Sequence, residues 1–113
     1  MANIESELQS GPFGWIVSGQ KTVEGRFLEG KWKDCKVGET IKFKEAGLEN
    51  YVMKTIVDKV EFDTFSDMYK QFGRLLLPDV ASPDEATTFY ENIHHTYPEK
   101  MKSGMKVVAL VLQ

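Results

Sequence analysis

The sequence predicts one α+β domain, residues 1–113, built on a small, curved sheet of mostly antiparallel strands. Its 113 residues fit a single domain and leave no room for a second core. With 42% hydrophobic and 12% aromatic residues, it can bury a real core. We count four or five strand-like segments and two or three short helices, and few of the strands are separated by helices. That order favours antiparallel pairing, and closure into a small barrel would remove the exposed edges.

The chain opens with a short strand and a short helix. Residues 4–9 are few but compatible with a strand. Residues 11–19 predict one or two helical turns, because Pro12 stands near the first position and Gly19 can close the helix in the left-handed conformation.

Two further strands and a loop follow. Residues 21–27 alternate weakly, and residues 40–44 alternate clearly between apolar and charged side chains, as half-buried strands do. Between them, the glycine-containing residues 28–38 predict a loop that carries Trp32.

The second half begins with a long strand and ends with a buried one. Residues 51–62 are long for a strand, and their alternation slips at Val57 and Asp58, which predicts a bulge or bend there. Residues 105–112 are almost continuously apolar and rich in β-branched side chains, which predicts a strand buried on both faces.

Two helices are predicted between these strands. Residues 65–72 repeat apolar side chains at helical spacing and end at Gly73. A second helix opens at a capping box formed by Ser82 and Glu85, and we expect it to end before Pro98. Its predicted buried face is Ala86, Phe89, Tyr90 and Ile93.

Composition excludes several classes of protein. The longest apolar run, Val107–Leu112, is far shorter than the ~20 residues of a membrane-spanning helix. Residues 1–5 lack the basic and apolar pattern of a secretory signal. The single cysteine, Cys35, can form neither an internal disulfide nor a CxxC site. We therefore expect no membrane association, no metal or other cofactor, and a cytoplasmic location, with the nucleus as the alternative.

The charge is low overall but unevenly distributed. Fourteen basic and 17 acidic residues give a net charge of −3, which argues against bulk electrostatic binding to nucleic acid. Residues 20–44 contain seven basic and four acidic residues, so this segment carries +3 and the remainder −6. Such a patch suits a small anionic ligand or one single strand better than a long duplex. A solvated lysine-rich surface is the alternative.

The densest polar cluster is residues 18–26. In a strand, Thr22, Glu24 and Arg26 share one face, so Glu24 and Arg26 can pair. Lys21 lies at the turn before them and can act as a positive clamp or, if desolvated, as a base. An exposed strand with an ordinary surface ion pair is the alternative.

Residues 12–26 resemble the signature of the ASCH domain family, whose core is G-x-K-x-x-E-x-R after a short helix. Gly19, Lys21, Glu24 and Arg26 supply that core. The resemblance continues through most of the chain, in residues 30–34, 37–43, 62–68 and 77–78, at Tyr90, and in residues 104–112.

The resemblance implies a PUA-like β-barrel of about five to six mostly antiparallel strands with two to three short helices. It also implies a cleft lined by the G-x-K-x-x-E-x-R segment that binds single-stranded RNA or a modified nucleoside. The implied ligand-binding residues are Lys21, Thr22, Glu24, Arg26 and Trp32, where Trp32 would offer a face for base stacking. Folding of Trp32 over the rim of the barrel is the alternative.

An enzymatic alternative follows from the same resemblance. One branch of the family hydrolyses N4-acetylcytidine with a lysine, a threonine and a glutamate, and another is described as a ribonuclease. Lys21 matches the shared lysine and would be the central catalytic residue, with Glu24 beside it. However, Glu24 stands where the amidohydrolase branch has its threonine, and no position matches that branch's glutamate. A module that binds a protein partner and has a vestigial cleft is a third alternative. For each of these functions we expect the chain to be a monomer.

Three other residues have ordinary interpretations. His94 and His95 lie at the end of the predicted capped helix, where a positive charge is favourable and neither needs a catalytic role. Cys35 is flanked by Lys33 and Lys36, which would lower the pKa of its thiol. No histidine lies near it in sequence to make it a nucleophile.

Overall fold

Five strands form one curled sheet in the computed structural model, which describes residues 4–113. The predicted absence of a signal rests partly on residues 1–3, which lie outside the described residues. The strands are β1 (Ile4–Leu8), β2 (Val23–Phe27), β3 (Thr40–Glu45), β4 (Tyr51–Phe62) and β5 (Val107–Leu112). The helices are α1 (Ser10–Ser18), α2 (Lys31–Asp34), α3 (Phe65–Phe72), α4 (Pro83–Ile93) and α5 (Tyr97–Lys102), with a 3₁₀ turn at Gly73–Leu75.

The sheet has the order β1-β3-β4-β5-β2 and is mostly antiparallel. Only the β1–β3 pair is parallel. The predicted irregularity in β4 is confirmed, because its pairing with β5 shifts between Ile56 and Asp58 and omits Val57. The bulge lets one long strand pair with β3 at its beginning and with β5 at its end. The α+β fold class is therefore confirmed as a curled half-barrel, with β1 and β2 as its two edges.

β5 separates two hydrophobic clusters and is buried on both faces, as predicted. Val108 and Leu110 belong to a cluster with β1, β3, α1 and Trp32, whereas Val107 and Ala109 belong to one with α3 and α4. Alternation along a strand sends successive side chains to opposite faces, so one apolar strand serves both cores. This arrangement holds α4 against the half of the sheet that contains β2.

The caps set the lengths of the helices. Gly19 ends α1 in the left-handed conformation at φ 84°, as predicted. Ser82 caps α4 by accepting a hydrogen bond from the Glu85 backbone N–H at 3.2 Å. Glu85 departs from the reciprocal capping box, since its carboxylate accepts from the Ala81 N–H at 2.9 Å.

Three sequence predictions need correction. The predicted loop at residues 28–38 contains α2, because hydrogen bonds to the Glu29 and Gly30 carbonyls wind the chain and bury Trp32. The end of α4 before Pro98 is confirmed at Ile93, but the prediction lacked α5, and Pro98 lies in its first turn, where proline is tolerated. Ile93 is 53% exposed rather than buried, because it lies in the last turn of α4, beside the cleft described below.

None of the helices within residues 4–113 is long and apolar enough to cross a membrane.

Candidate functional site

A cleft of about 210 Å³ lies where β2 meets α1, α4 and the end of β1. An engineered cavity of about 150 Å³ can hold benzene, so this cleft has room for one flat, ring-sized group. Its lining combines three charged residues of the predicted cluster with an apolar surround. The lining residues are Glu7, Leu8, Gln9, Pro12, Trp15, Lys21, Glu24, Gly25, Arg26, Leu77, Phe89, Tyr90, Ile93 and His94.

Lys21 is buried at this cleft, with 4% of its surface exposed. The left-handed turn at Gly19 reverses the chain after α1, and the Lys21 backbone N–H then donates to the Trp15 carbonyl at 3.0 Å. The side-chain Nζ donates to the Leu76 carbonyl at 2.5 Å and lies 3.5 Å from Glu24 Oε1. The lysine is thus held between a carbonyl and a carboxylate.

Glu24 is the acidic centre of the cluster, and it is 5% exposed. Its other oxygen, Oε2, accepts from Arg26 Nη2 at 3.1 Å, which confirms the predicted Glu24–Arg26 pair. Arg26 also donates to Ser6 Oγ at 3.1 Å, and its guanidinium lies 4.8 Å from the Trp32 ring centre. A planar guanidinium stacked on an aromatic face keeps its donors in a fixed direction.

The electrostatics of the three residues are coupled. Burial by itself would raise the pKa of Glu24, but Arg26 and Lys21 outweigh it and hold the pKa of the carboxyl below its ordinary value. Burial lowers the pKa of Lys21, the attraction of Glu24 opposes this shift only partly, and Arg26 adds to it. Two cations thus share one buried carboxylate, so the cluster favours a ligand with an accepting oxygen or nitrogen.

Gly25 keeps the space at the centre of this segment. A Cβ atom at this position would come within 2.6 Å of Tyr90 Oη and 2.8 Å of Met68 Sδ. Glycine therefore lets Tyr90 pack directly against β2, with α4 close enough to form the wall of the cleft. Tyr90 is 2% exposed, which confirms its predicted place on the buried face of α4, and its ring stacks on Phe65 at 3.8 Å. Burial raises the pKa of Tyr90 well above its ordinary value.

The walls of the cleft are largely apolar. Trp15 on α1 and Phe89 on α4 are both half-buried, and Ile93 is exposed. The sequence pattern placed Trp15 within a helix and Phe89 on the buried face of another helix, and it assigned neither residue to the cleft. Their contribution to the cleft depends on how α1 and α4 pack on the sheet, for which the sequence carries no local signal.

The structure brings together three of the five predicted ligand-binding residues. Lys21, Glu24 and Arg26 line the cleft, and Thr22 and Trp32 do not. The backbone of Thr22 pairs with Leu75 and Leu112. Trp32 is 7% exposed, and its ring is approached by Arg26 and Lys31. Its indole therefore packs beneath the cluster, in the core, instead of standing free in a loop.

The remaining candidate residues are Cys35, His94 and His95. Cys35 is buried, and the expectation that Lys33 and Lys36 lower its pKa is wrong, because burial raises the pKa of the thiol and the opposing cation is Lys59. His94 lines the cleft, and its neighbour His95 is exposed. Across the described part of the chain, no group of three or more His, Cys, Asp or Glu side chains is arranged to hold a metal.

Comparison with known families identifies the chain. The family model of the ASCH domain matches residues 7–112, almost the full length. The chain belongs to the ASCH domain family. No curated protein matches its sequence. The predicted membership of this family is thereby confirmed.

Solved structures support the same assignment for this ASCH domain. The hypothetical protein PH0355 is 25% identical with a TM-score of 0.82, over 97% of this chain and 96% of that one. Protein PF0455 from Pyrococcus furiosus is 24% identical with a TM-score of 0.73, over 100% and 96%. The ASCH protein from Zymomonas mobilis is 18% identical with a TM-score of 0.65, over 96% and 65%. The last two, each less than 25% identical to this chain, show the shared fold.

Proposed function

We propose that this ASCH domain binds a nucleoside, or a base of single-stranded RNA, in the cleft between α1 and α4. One observation carries the proposal: a buried carboxylate flanked by two cations lies at a small cleft whose walls are apolar and partly aromatic. Ligand sites commonly combine apolar walls with a few convergent polar groups in this way. The net charge of −3 disfavours binding of nucleic acid over the surface as a whole, which supports the proposal of a local site in the cleft.

The polar groups complement the edge of a base. Lys21 and Arg26 donate hydrogen bonds, and Glu24 accepts them. The edge of a nucleobase offers carbonyl or ring-nitrogen acceptors beside amino or imino donors, so it can satisfy both kinds of group. A phosphate has acceptors only, and Glu24 would repel it. Trp15 and Phe89 can pack against the faces of the base.

Hydrolysis of such a ligand is the second candidate function. It is favoured by one observation, the burial that lowers the pKa of Lys21 and so increases the fraction of free amine. An unprotonated lysine in the cleft can remove a proton from an attacking group. Glu24, where the amidohydrolase branch of the family has threonine, offers a carboxylate beside it.

The test is a paired titration that follows binding and product formation. The probes are N4-acetylcytidine, cytidine, uridine and six-nucleotide RNAs of C or U, and the proteins are the wild type and Lys21→Met. Methionine keeps most of the lysine stem but removes the charge and its hydrogen bonds. The matched control is Lys70→Met, which changes an exposed lysine on α3. Circular dichroism establishes that each variant is folded.

We expect the wild type and Lys70→Met to bind at least one probe, and Lys21→Met to bind it at least about tenfold more weakly, as loss of a charged hydrogen bond implies. Binding of RNA should weaken as salt concentration rises. Product formation that Lys21→Met abolishes would assign the protein to the hydrolases. Failure of the folded wild type to bind any probe would refute both functions.

A further inference from the structure

One buried polar atom in the cleft region has no partner. Across residues 4–113, Nε2 of His94 is the only buried side-chain nitrogen or oxygen that makes no hydrogen bond. His94 follows the last residue of α4 and is one of the residues that line the cleft. An unsatisfied buried polar atom destabilises a fold, so one retained beside a cleft calls for an explanation.

Packing alone does not account for the imidazole. Its ring lies parallel to Phe65 and Tyr90 at 6.2 Å from each, and edge-on to Phe27 at 5.2 Å. These contacts need a flat ring but no nitrogen, and phenylalanine would provide the same ring without an unpaired polar atom.

A favourable positive charge at the C-terminus of α4 does not account for the imidazole of His94 either. Burial, together with Arg26 on β2 and Lys100 on α5, lowers the pKa of His94, and Glu29 and Glu24 oppose this shift only partly. The imidazole is therefore neutral at pH 7 and adds no favourable charge at the C-terminus of the helix. A neutral imidazole has one donor and one acceptor nitrogen, which suits an uncharged polar partner.

We propose that His94 is a specificity-determining residue of the cleft, whose Nε2 forms a hydrogen bond with an uncharged polar group of the bound base. The inference rests on the proposed function and extends it. The charged cluster anchors one edge of the base, and His94 contacts a second group from the α4 wall.

The first test uses the imidazole nitrogens directly. The chain has only two histidines, so long-range proton–nitrogen spectra resolve both rings. Saturation with the tightest-binding nucleoside of the set cytidine, uridine and N4-acetylcytidine should shift the Nε2 resonance of His94. The resonances of exposed His95 should not move. An unchanged His94 ring in the complex would overturn the proposal.

The second test compares two substitutions at the same position. His94→Phe keeps the aromatic packing and removes the nitrogen, and His94→Gln places an amide near the position of Nε2. We expect His94→Phe to retain or raise the Tm while it weakens nucleoside binding about fivefold, the effect of one hydrogen bond. His94→Gln should recover most of the affinity. His95→Phe is the matched control and should change neither quantity.

The outcomes separate this inference from the proposed function. If Lys21→Met loses binding while His94→Phe binds like the wild type, His94 has no role in specificity and the proposed function stands. If His94→Gln binds more weakly than His94→Phe, the aromatic ring and not the nitrogen matters, which also refutes the inference. If the folded wild type binds none of the nucleosides, both proposals fail.

Discussion

At Gly25, a missing side chain determines how closely α4 approaches β2. The nearest neighbours of a Cβ atom there are Tyr90 Oη, Met68 Sδ and Leu76 Cδ1, at 2.6, 2.8 and 3.1 Å. Tyr90 and Met68 are buried in the cluster beneath α3 and α4, so neither can move without disturbing that packing. Gly25, which stands between Glu24 and Arg26, thus has a steric reason that is independent of ligand binding.

We predict that Gly25→Ala destabilises the protein by about 1–3 kcal/mol, the usual cost of overpacking a core. The free energy of unfolding is measured by urea titration. Gly14→Ala is the matched control, because Gly14 lies within α1 and a Cβ there meets nothing within 4 Å. Removal of this helical glycine should stabilise the protein by about 0.5–1 kcal/mol. Equal effects of the two substitutions would contradict the steric role of Gly25.

Glu24 makes the cluster sensitive to acid. Its pKa in the folded protein is below the ordinary value of 4.5, so the unfolded chain binds the proton more readily. The stabilisation that Glu24 contributes is therefore fully present above about pH 4.5 and is lost as pH falls through the folded-state pKa.

We predict that Glu24→Gln lowers the free energy of unfolding at pH 7 by about 3 kcal/mol, because the buried Lys21 and the half-buried Arg26 remain without their carboxylate. The difference from the wild type should shrink as the pH is lowered from 5 to 3, as urea titrations at each pH would show. Glu61→Gln, at an exposed position on β4, should change stability by less than about 0.5 kcal/mol. A difference that does not depend on pH would exclude Glu24 as its source.

At the scale of elements, α4 links the core to the cleft. Its inner residues Ala86 and Tyr90 are buried, while Phe89 and Ile93 face the cleft. The apolar spacing at i, i+3, i+4 and i+7 alone does not distinguish these two environments, because both lie on one side of the helix. The stability of α4 therefore determines whether the wall of the cleft is in place.

We predict that Ser82→Ala destabilises the protein by about 1 kcal/mol, because it removes the side-chain acceptor for the Glu85 N–H. Thermal unfolding measures the effect. The matched control is Thr88→Ala. Thr88 is exposed within the same helix, and its hydroxyl donates to the Asp84 carbonyl one turn earlier. This control should be neutral or slightly stabilising, since alanine favours the helix. If Thr88→Ala costs as much as Ser82→Ala, the cap is not the cause.

At the scale of the whole molecule, a contact between side chains connects the two edge strands of the half-barrel. β1 and β2 are the edge strands, and no backbone ladder joins them within the described residues. The Arg26 guanidinium spans this gap by donating to Ser6 Oγ on β1 while it also binds Glu24. The cluster thus has a structural role as well as the one proposed for ligand binding.

We predict that Ser6→Ala lowers stability by about 1 kcal/mol, as loss of one partly buried hydrogen bond implies. The amides of β1 should exchange with deuterium faster, while those of β4 and β5 change little, because β1 is an edge strand that pairs with β3 on its other side. Ser103→Ala, at the exposed end of α5, should leave exchange in β1 unchanged. Uniformly faster exchange would show that Ser6 acts on global stability instead.

The predictable parts of the fold have strong local signals. The caps at Gly19 and Ser82, the irregularity at Val57 and the fully buried β5 all follow from patterns within a few residues. α2 was not predictable in this way, because four residues carry too little periodicity and its position depends on Trp32 reaching a distant core. α5 was not predictable either, because a proline can either end a helix or begin one.

By itself, the sequence determined the α+β class and the order of the main elements. It also determined the pairing of Glu24 with Arg26, because residues two positions apart in a strand lie on the same face. The resemblance of the G-x-K-x-x-E-x-R segment added the family. Only the tertiary structure decided that Lys21 is buried against the Leu76 carbonyl, that Trp15 and Phe89 line the cleft, and that Trp32 lies in the core. These features depend on contacts between residues far apart in the chain, whose distances are set by the packing of helices on the curled sheet and not by local pattern.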